Sequence, residues 1–270
     1  MDLATIIGVI VGIASIIVAY VEEGGKVGVL WQPTAALIVF GGTFGAIAVS
    51  FSFKDLANFP KYLKIIFANT GLDFAGTYKT LISNAEKARK EGLLSLEQDL
   101  NKIKDSFLSQ GLQLVVDGID PELTRSMLEN EVYAMENRHK IGISMLEAAG
   151  GYAPTMGIIG TVMGLVHVLG NLTNPDALGP SIAVAFIATL YGVASANLLW
   201  LPMAAKLKNK SKQEVKLREL ILDGILSIQA GENPSILKEK LKTNLKSEKL
   251  PEETRKQTGA VNTKVTEETA

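Results

Sequence analysis

The sequence predicts an all-α fold: a polytopic membrane protein with four transmembrane helices and a helical cytoplasmic domain. Apolar residues, 47% of the 270, are concentrated in four long stretches, and the charged residues lie between them. No stretch shows the sustained period-two alternation of a β-strand. A helix of about 20 residues crosses a hydrocarbon layer of about 30 Å. Buried helices of a soluble protein are the alternative, but they rarely run this far without a charge.

The four apolar stretches pair into two hairpins, each with a short connecting loop. The first stretch opens with Met1-Asp2-Leu3, which lacks the basic residues of a secretory signal peptide, so we predict a permanent span. The last segment has too few apolar residues to form a core. The predicted boundaries are 1–53 for the first transmembrane hairpin (spans 3–21 and 29–53), 54–150 for the cytoplasmic helical domain, 151–205 for the second hairpin (spans 153–171 and 181–204), 206–246 for C-terminal cytoplasmic helices and 247–270 for a disordered tail.

The distribution of basic residues predicts how the chain crosses the membrane. The two short connecting loops are poor in basic residues, with one Lys in residues 22–30 and none in residues 171–180. Because basic residues remain on the cytoplasmic side, we expect both termini in the cytoplasm and a multi-pass location in the plasma membrane. The basic residues that carry this prediction are Lys54, Lys61, Lys64, Arg138, Lys140, Lys206, Lys208, Lys210 and Lys212.

Local signals predict where the cytoplasmic helices begin and end. Asp120 followed by Pro121 is typical of an N-cap and a first helical turn, and no breaker follows before Gly150. This helix is therefore expected to continue toward the third span. The stretch 95–98, Ser-Leu-Glu-Gln, is a capping-box pattern that predicts another helix start. The apolar face of that helix is expected to contain Leu96, Leu100, Ile103 and Phe107.

A cluster of charged residues at 86–91 ends at Gly92, which permits a tight tip between two helices. On the following helix, Glu97 lies about 100° from the apolar face, so we expect it to be exposed. A solvated surface is the ordinary reading of such a cluster, and a docking surface for a charged partner is the functional one. Later in the chain, Gly231 predicts a helix end and Asn233-Pro234 a new start.

The four spans carry no Asp, Glu, Lys or Arg in their interiors. Proteins that move protons or cations usually retain a titratable group midway, so an ion-conducting role requires a carboxylate from another chain. The polar residues in the spans would by default bond their own helix backbone or a neighbour. They include Thr155, Thr161, His167, Thr189, Ser195 and Asn197.

An enzyme is not expected. The chain has no Cys, and its two His, His139 and His167, lie 28 positions apart. We therefore predict no metal centre, no cofactor and no nucleic-acid partner.

Glycines and prolines set the expected shape of the spans. Gly160 with Gly164 and Gly192 with Ala196 are examples of small residues four apart, which let helices approach closely, within one subunit or between subunits. Pro154 is expected at a first helical turn, where proline costs little. Pro202 interrupts a helical run and predicts a kink that is either structural or a hinge.

Three motifs resemble the MotA/TolQ/ExbB family of channel proteins: residues 88–97 (ARKEGLLSLE), residues 152–165 (YAPTMGIIGTVMGL) and Leu201-Pro202 with the basic run 206–216. The resemblance covers nearly the whole chain up to the tail. The four-span layout is similar to the flagellar stator branch. A TolQ/ExbB-like energiser of an envelope process is the alternative, and the motif at 88–97 argues against it.

The resemblance implies a homopentamer in membrane lipid around two copies of MotB, whose aspartate binds the translocated H⁺ or Na⁺. The ion-path threonines of the family match Thr161 and Thr189, and its coupling prolines match Pro154 and Pro202. Its contacts with the rotor protein FliG match Arg89 and Glu97, with Lys90 as an accessory. Proton-driven members commonly carry Ala at the position of Thr161 and sodium-driven members carry Thr, so the coupling ion stays open. A membrane scaffold that only organises partners is a further alternative.

Overall fold

The computed structural model describes residues 2–68, 71–170 and 175–245, and the tail predicted at 247–270 lies outside them. Within those ranges the regular structure is entirely helical, which confirms the all-α prediction. Within the described residues two compact units form: residues 2–68 with 137–170 and 175–211, and residues 71–136 with 212–245. The helices are α1 (Leu3–Glu22), α2 (Pro33–Ala36), α3 (Gly42–Ser50), α4 (Phe53–Ala57), α5 (Phe59–Phe67), α6 (Phe74–Glu91), α7 (Glu97–Leu100), α8 (Ser106–Val116), α9 (Pro121–Gly170), α10 (Pro175–Ser195), α11 (Leu201–Gln229) and α12 (Pro234–Leu245).

Four helical stretches of the described chain are long and apolar enough to cross a membrane, as predicted. The second is α2 and α3 joined by a π-helical turn at Leu37–Gly41, and the fourth is α10 and α11 joined by a π-helical turn at Ala196–Trp200. A 3₁₀ turn at Val27–Leu30 precedes the second stretch. The third stretch belongs to the 50-residue helix α9.

The start of α9 follows from its first residues. The carboxylate of Asp120 accepts hydrogen bonds from the backbone N–H groups of Glu122 at 2.9 Å and Leu123 at 3.3 Å. Pro121 occupies the first helical position, where its missing N–H leaves nothing unpaired. The helix then continues without a break to Gly170, which confirms the predicted continuity with the third span.

One predicted helix is wrong. Ser95 does not cap a helix that extends to Phe107; its hydroxyl donates to the Gly92 carbonyl at 2.7 Å within a 3₁₀ turn, and α7 has four residues. A new helix begins after Asp105, whose carboxylate accepts from the Leu108 N–H at 3.0 Å and pairs with Arg218 at 2.8 Å. Because this cap and ion pair fix a helix start at Ser106, the chain turns between α7 and α8.

The unit that contains residues 71–136 has its own apolar core. Leucines from five helices are buried in it to 2% exposure or less, and Gly224 lies so close to Leu81 that a Cβ there would come within 2.7 Å of it. The two chain reversals predicted from glycine have positive φ, 85° at Gly92 and 66° at Gly231. Such angles favour glycine because it has no Cβ. These buried leucines include Leu81, Leu112, Leu128, Leu220 and Leu237.

The unit that contains the spans holds a buried lysine. Lys210 is 6% exposed, and its ammonium donates to the carbonyls of Ile65 at 2.7 Å, Ile66 at 2.9 Å and Ala68 at 2.6 Å. The Asp2 N–H donates to the fourth carbonyl, Phe67 O, at 3.0 Å. The C-terminal carbonyls of α5 are thus satisfied by side chain and backbone donors.

We expect Lys210→Met to lower the free energy of unfolding by about 3 kcal/mol, because it leaves the carbonyls at the end of α5 without their charged donor. The exposed Lys208 lies on the same helix, and Lys208→Met serves as the control. Unfolding midpoints of the detergent-solubilised protein give the comparison. Equal midpoints for the two variants would contradict this role of Lys210.

Candidate functional site

Helices α9 and α10 approach closely along the predicted third and fourth spans. A Cβ on Gly157 would lie 2.8 Å from the Ala188 carbonyl oxygen, and one on Gly192 would lie 2.5 Å from the Ala153 carbonyl oxygen. These distances are shorter than van der Waals contact to backbone atoms that cannot rotate away. Only glycine fits at the two positions. The small residues of these two spans therefore pack against each other within one subunit.

Thr161 of α9 and Thr189 of α10 meet at this crossing. Their hydroxyl oxygens are 2.5 Å apart. The Thr161 hydroxyl also lies 2.9 Å from the Ala185 carbonyl oxygen and 3.2 Å from the Gly157 carbonyl oxygen. The Thr189 hydroxyl lies 3.5 Å from the same Gly157 oxygen. Both threonines are half-buried. Their hydroxyls and the carbonyl oxygens of Gly157 and Ala185 form one cluster of four oxygen atoms.

The two hydroxyls of this oxygen cluster have only two protons to donate. Each hydroxyl has one proton to donate and lone pairs to accept, so Thr161 can satisfy only one of its neighbouring acceptors at a time. Rotation of the two hydroxyls changes which oxygen is left free to accept. Hydroxyl and carbonyl oxygens are also ligands that hard cations prefer. The cluster can therefore pass a proton or hold a partly dehydrated cation.

Gly157→Ala is expected to separate the two threonines, because the added methyl group meets backbone atoms of α10 at 2.8 and 3.1 Å. Overpacking of this kind typically costs about 1 to 3 kcal/mol. We expect a lower unfolding midpoint in detergent. Gly8→Ala is the control, since its Cβ would meet nothing within 4 Å and alanine favours a helix. If Gly157→Ala behaved like Gly8→Ala, the close approach would be unnecessary.

The two prolines lie in different backbone settings. Pro154 is inside α9 and not at a first turn, which corrects the expectation above. The helix continues past Pro154, and α10 lies close beside it: a Cβ on Gly192 would lie 3.2 Å from the Pro154 Cα. Pro202 is the second residue of α11 and follows the π-helical turn, where the Leu201 N–H donates to the Ala196 carbonyl five residues back.

The extra residue of that π-helical turn accommodates Pro202 without ending the helix. The turn lies directly between the oxygen cluster and α11. Thr189 and Pro202 are 13 residues apart on consecutive helical segments, or about 20 Å at 1.5 Å per residue. A local widening of the helix therefore lies beside Pro202, and the kink predicted there stays a prediction.

Three other polar residues of the spans donate to their own helix backbone. Thr155 donates to the Tyr152 carbonyl at 2.7 Å, Ser195 to the Gly192 carbonyl at 3.1 Å and Asn197 to the Val193 carbonyl at 2.9 Å. These are own-helix bonds, as expected of isolated polar side chains in a span. His167 is exposed. Thr161 and Thr189 differ from the locally bonded residues because their hydroxyls bond across two helices.

Tyr191 makes a contact between two spans that the sequence did not indicate. Its hydroxyl accepts from the Gln32 N–H at 3.2 Å and donates to the Leu30 carbonyl. It thereby attaches the start of the second span to the helix that carries Thr189. A tyrosine within a span needs a hydrogen-bond partner for its hydroxyl, and this requirement could have indicated from the sequence that Tyr191 makes such a contact. The partner itself, 161 residues away, could not be read from the chain.

The charged tip lies in the other unit, where α6 ends and α7 begins. Arg89, Lys90 and Glu97 are all exposed there, as predicted for Glu97. Beneath them, the carboxylate of Asp99 bonds the ammonium of Lys87 at 2.5 Å and that of Lys102 at 2.7 Å. This pair of contacts ties α6 to the end of α7 across the Gly92 reversal.

The hydrogen bonds from Lys102 and Lys87 lower the pKa of Asp99 from 3.8 to about 2. A carboxylate whose pKa is depressed in the folded state stabilises the fold above its unfolded pKa, and this stabilisation is lost as the pH falls from about 4 to about 2. The Asp99 contacts are therefore intact throughout the physiological pH range.

Two family models match most of the chain. The MotA/TolQ/ExbB proton channel family matches residues 99–220, and the motility protein A N-terminal model matches residues 6–92. The chain belongs to the MotA/TolQ/ExbB proton channel family. The predicted resemblance is thereby confirmed, and the four apolar helices identify this family member as an integral protein of the inner membrane.

Relatives within the MotA/TolQ/ExbB family match along nearly their full length. The chain is 42% identical over 245 residues to Motility protein A of Borreliella burgdorferi, covering 91% of this chain and 94% of that protein. It is 40% identical over 242 residues to Motility protein A of Bacillus subtilis, covering 89% and 90%. The fold is similar to the solved flagellar MotAB stator complex from Bacillus subtilis, with a TM-score of 0.85, 38% identity and coverage of 94% of this chain and 98% of that chain.

Proposed function

We propose that this chain is a flagellar motor stator subunit. With a MotB partner it forms an ion channel that couples the flow of H⁺ or Na⁺ to torque on the rotor and so to swimming motility. The observation that carries the proposal is the cross-helix oxygen cluster of Thr161 and Thr189, in a chain similar over most of its length to motility proteins. Both termini lie in the cytoplasm, as the basic residues beside the spans favour.

The partner supplies what the spans lack. Ion transfer through a low-dielectric span requires a titratable group midway, and the four spans contain none. Two copies of MotB, each with one membrane aspartate, provide it within a homopentamer of this chain. The solved relatives are complexes of MotA with MotB, which supports the partnership. The ion passes between that aspartate and the hydroxyls of Thr161 and Thr189.

The coupling runs from the cluster to the rotor. Each ion that crosses releases about 2.3 kcal/mol per 100 mV of membrane potential. Occupancy at Thr161 and Thr189 shifts α10, the π-helical turn beside Pro202 relays that shift, and Pro154 shapes the facing helix. At the charged tip, Arg89 and Glu97, assisted by Lys90, contact the rotor protein FliG.

Thr161 favours Na⁺ as the coupling ion, because it adds a hydroxyl oxygen to the cluster. We expect the swimming speed of cells that depend on this chain to fall as sodium is replaced by potassium at fixed pH. A speed that does not change would assign the coupling to H⁺ and leave the stator role intact. Cells that fail to swim in both media, although the chain and MotB are present in the membrane, would contradict the stator role itself.

A further inference from the structure

Leu94 is an exposed apolar side chain at the charged tip. It is 72% exposed, more than the other large apolar side chains described as exposed in residues 71–136 and 212–245. A single exposed leucine is common on protein surfaces. What distinguishes Leu94 is its position, between Arg89 and Lys90 on one side of the Gly92 reversal and Glu97 on the other.

The turn that carries Leu94 holds it outward. Residues Leu93–Leu96 form a 3₁₀ turn, in which side chains three positions apart point in the same direction. Leu93 packs against the core and Leu96 is fully buried in it. Because Leu93 and Leu96 are both directed toward the core, the side chain of Leu94 between them projects away from it.

The turn is also fixed in position. The Ser95 hydroxyl donates to the Gly92 carbonyl at 2.7 Å, and the Ser95 N–H donates to the same oxygen at 3.2 Å. The ion pair of Lys87 with Asp99 ties α6 to α7. An apolar side chain that is already ordered loses little conformational entropy when a partner binds it.

An apolar centre with a charged rim is the usual arrangement of a protein-binding surface. Binding energy is concentrated in a few central side chains, while the rim charges provide orientation and speed of association. Here the rim has positive charge from Arg89 and Lys90 and negative charge from Glu97. A lipid surface would favour one sign of charge, so the mixed rim points to a protein.

We infer that Leu94 is the apolar anchor of the rotor-binding surface. It inserts into an apolar pocket of the rotor protein, bordered by an acidic group that faces Arg89 and a basic group that faces Glu97. The inference builds on the stator role proposed above. It adds a contact that persists at high salt, where the rim charges are screened.

The test measures binding of purified FliG to the full complex of this chain with MotB in lipid nanodiscs. We expect Leu94→Asn to weaken binding about ten-fold or more, also at high salt, and Leu94→Met to stay within about two-fold of the wild type. Leu123→Asn is the matched control, because Leu123 is 53% exposed on α9, outside the charged tip. The melting temperature and particle size of each variant complex should equal those of the wild type.

Several results would overturn the role of Leu94. They are binding of Leu94→Asn within two-fold of the wild type, an equal loss in Leu123→Asn, or a change in melting temperature or particle size that accounts for the loss. Arg89→Glu separates this inference from the proposed function. If Arg89→Glu weakens binding and Leu94→Asn does not, only the anchor is wrong. If the wild-type complex does not bind FliG, the rotor contact of the proposed function is wrong as well.

Discussion

Thr189→Val is expected to abolish torque while the stator complex still assembles. Valine has nearly the shape of threonine, so the close packing of α9 and α10 is retained, but the hydroxyl that lies 2.5 Å from the Thr161 hydroxyl is lost. A hydrogen bond to a charged group contributes about 1.5 to 3 kcal/mol. If an ion loses this stabilisation as it passes the cluster, its rate of passage falls about ten- to hundred-fold. Thr161→Val should have an effect in the same range.

The measurement for Thr189 is ion flux into liposomes that contain the complex, together with swimming speed. Thr189→Ser restores a hydroxyl and is expected to recover most of the flux. Ser15→Ala is the control, because the Ser15 hydroxyl bonds only its own helix, at the Val11 carbonyl, at 2.6 Å in the described structure. Flux that persists in Thr189→Val, or that fails in Ser15→Ala to the same extent, would remove the cluster from the ion path.

The second large effect is expected from reversing the charges of the tip. In the double variant Arg89→Glu with Glu97→Lys, both proposed contacts with the rotor would change from attraction to repulsion. Like charges placed opposite each other in an interface cost several kcal/mol. We therefore expect rotation to stop or fall more than ten-fold, while the amount of protein in the membrane is unchanged, since both side chains are exposed.

Rotation of tethered cells measures this effect at high load. Lys79→Glu provides the comparison, because Lys79 is exposed on the same helix α6 but lies ten residues before Arg89. Compensating charges on FliG should partly restore rotation in the double variant. Normal rotation in the double variant would show that Arg89 and Glu97 do not drive the rotor.

The elements with strong local signals were predictable from the sequence. Charge-free apolar stretches define the spans, the Asp120 carboxylate with Pro121 defines the start of α9, and the two glycines predicted to end helices, Gly92 and Gly231, have positive φ. The failure at Ser95 has a tertiary cause. The ion pair of Asp105 with Arg218 joins residues 113 positions apart and fixes a helix start that local propensity could not reveal.

The candidate site was predictable only in part. The resemblance to the family indicated Thr161 and Thr189, whereas their direct contact depends on how closely α9 and α10 pack at Gly157 and Gly192. Backbone separation at a crossing is a property of two helices together, so a single stretch of sequence does not determine it. In the sequence, Lys210 is one of several lysines after the fourth span. Its three carbonyl contacts distinguish it only in the folded structure.

The coupling of ion flow to rotation is the central claim. The most direct measurement is the rotation speed of tethered cells that lack their own stators and carry this chain with MotB, recorded while an ionophore for the coupling ion is titrated. We predict that rotation is restored and that its speed falls in proportion to the ion gradient, since each ion contributes a fixed free energy per unit of potential. Rotation that continues at full speed after the gradient has collapsed would contradict the claim.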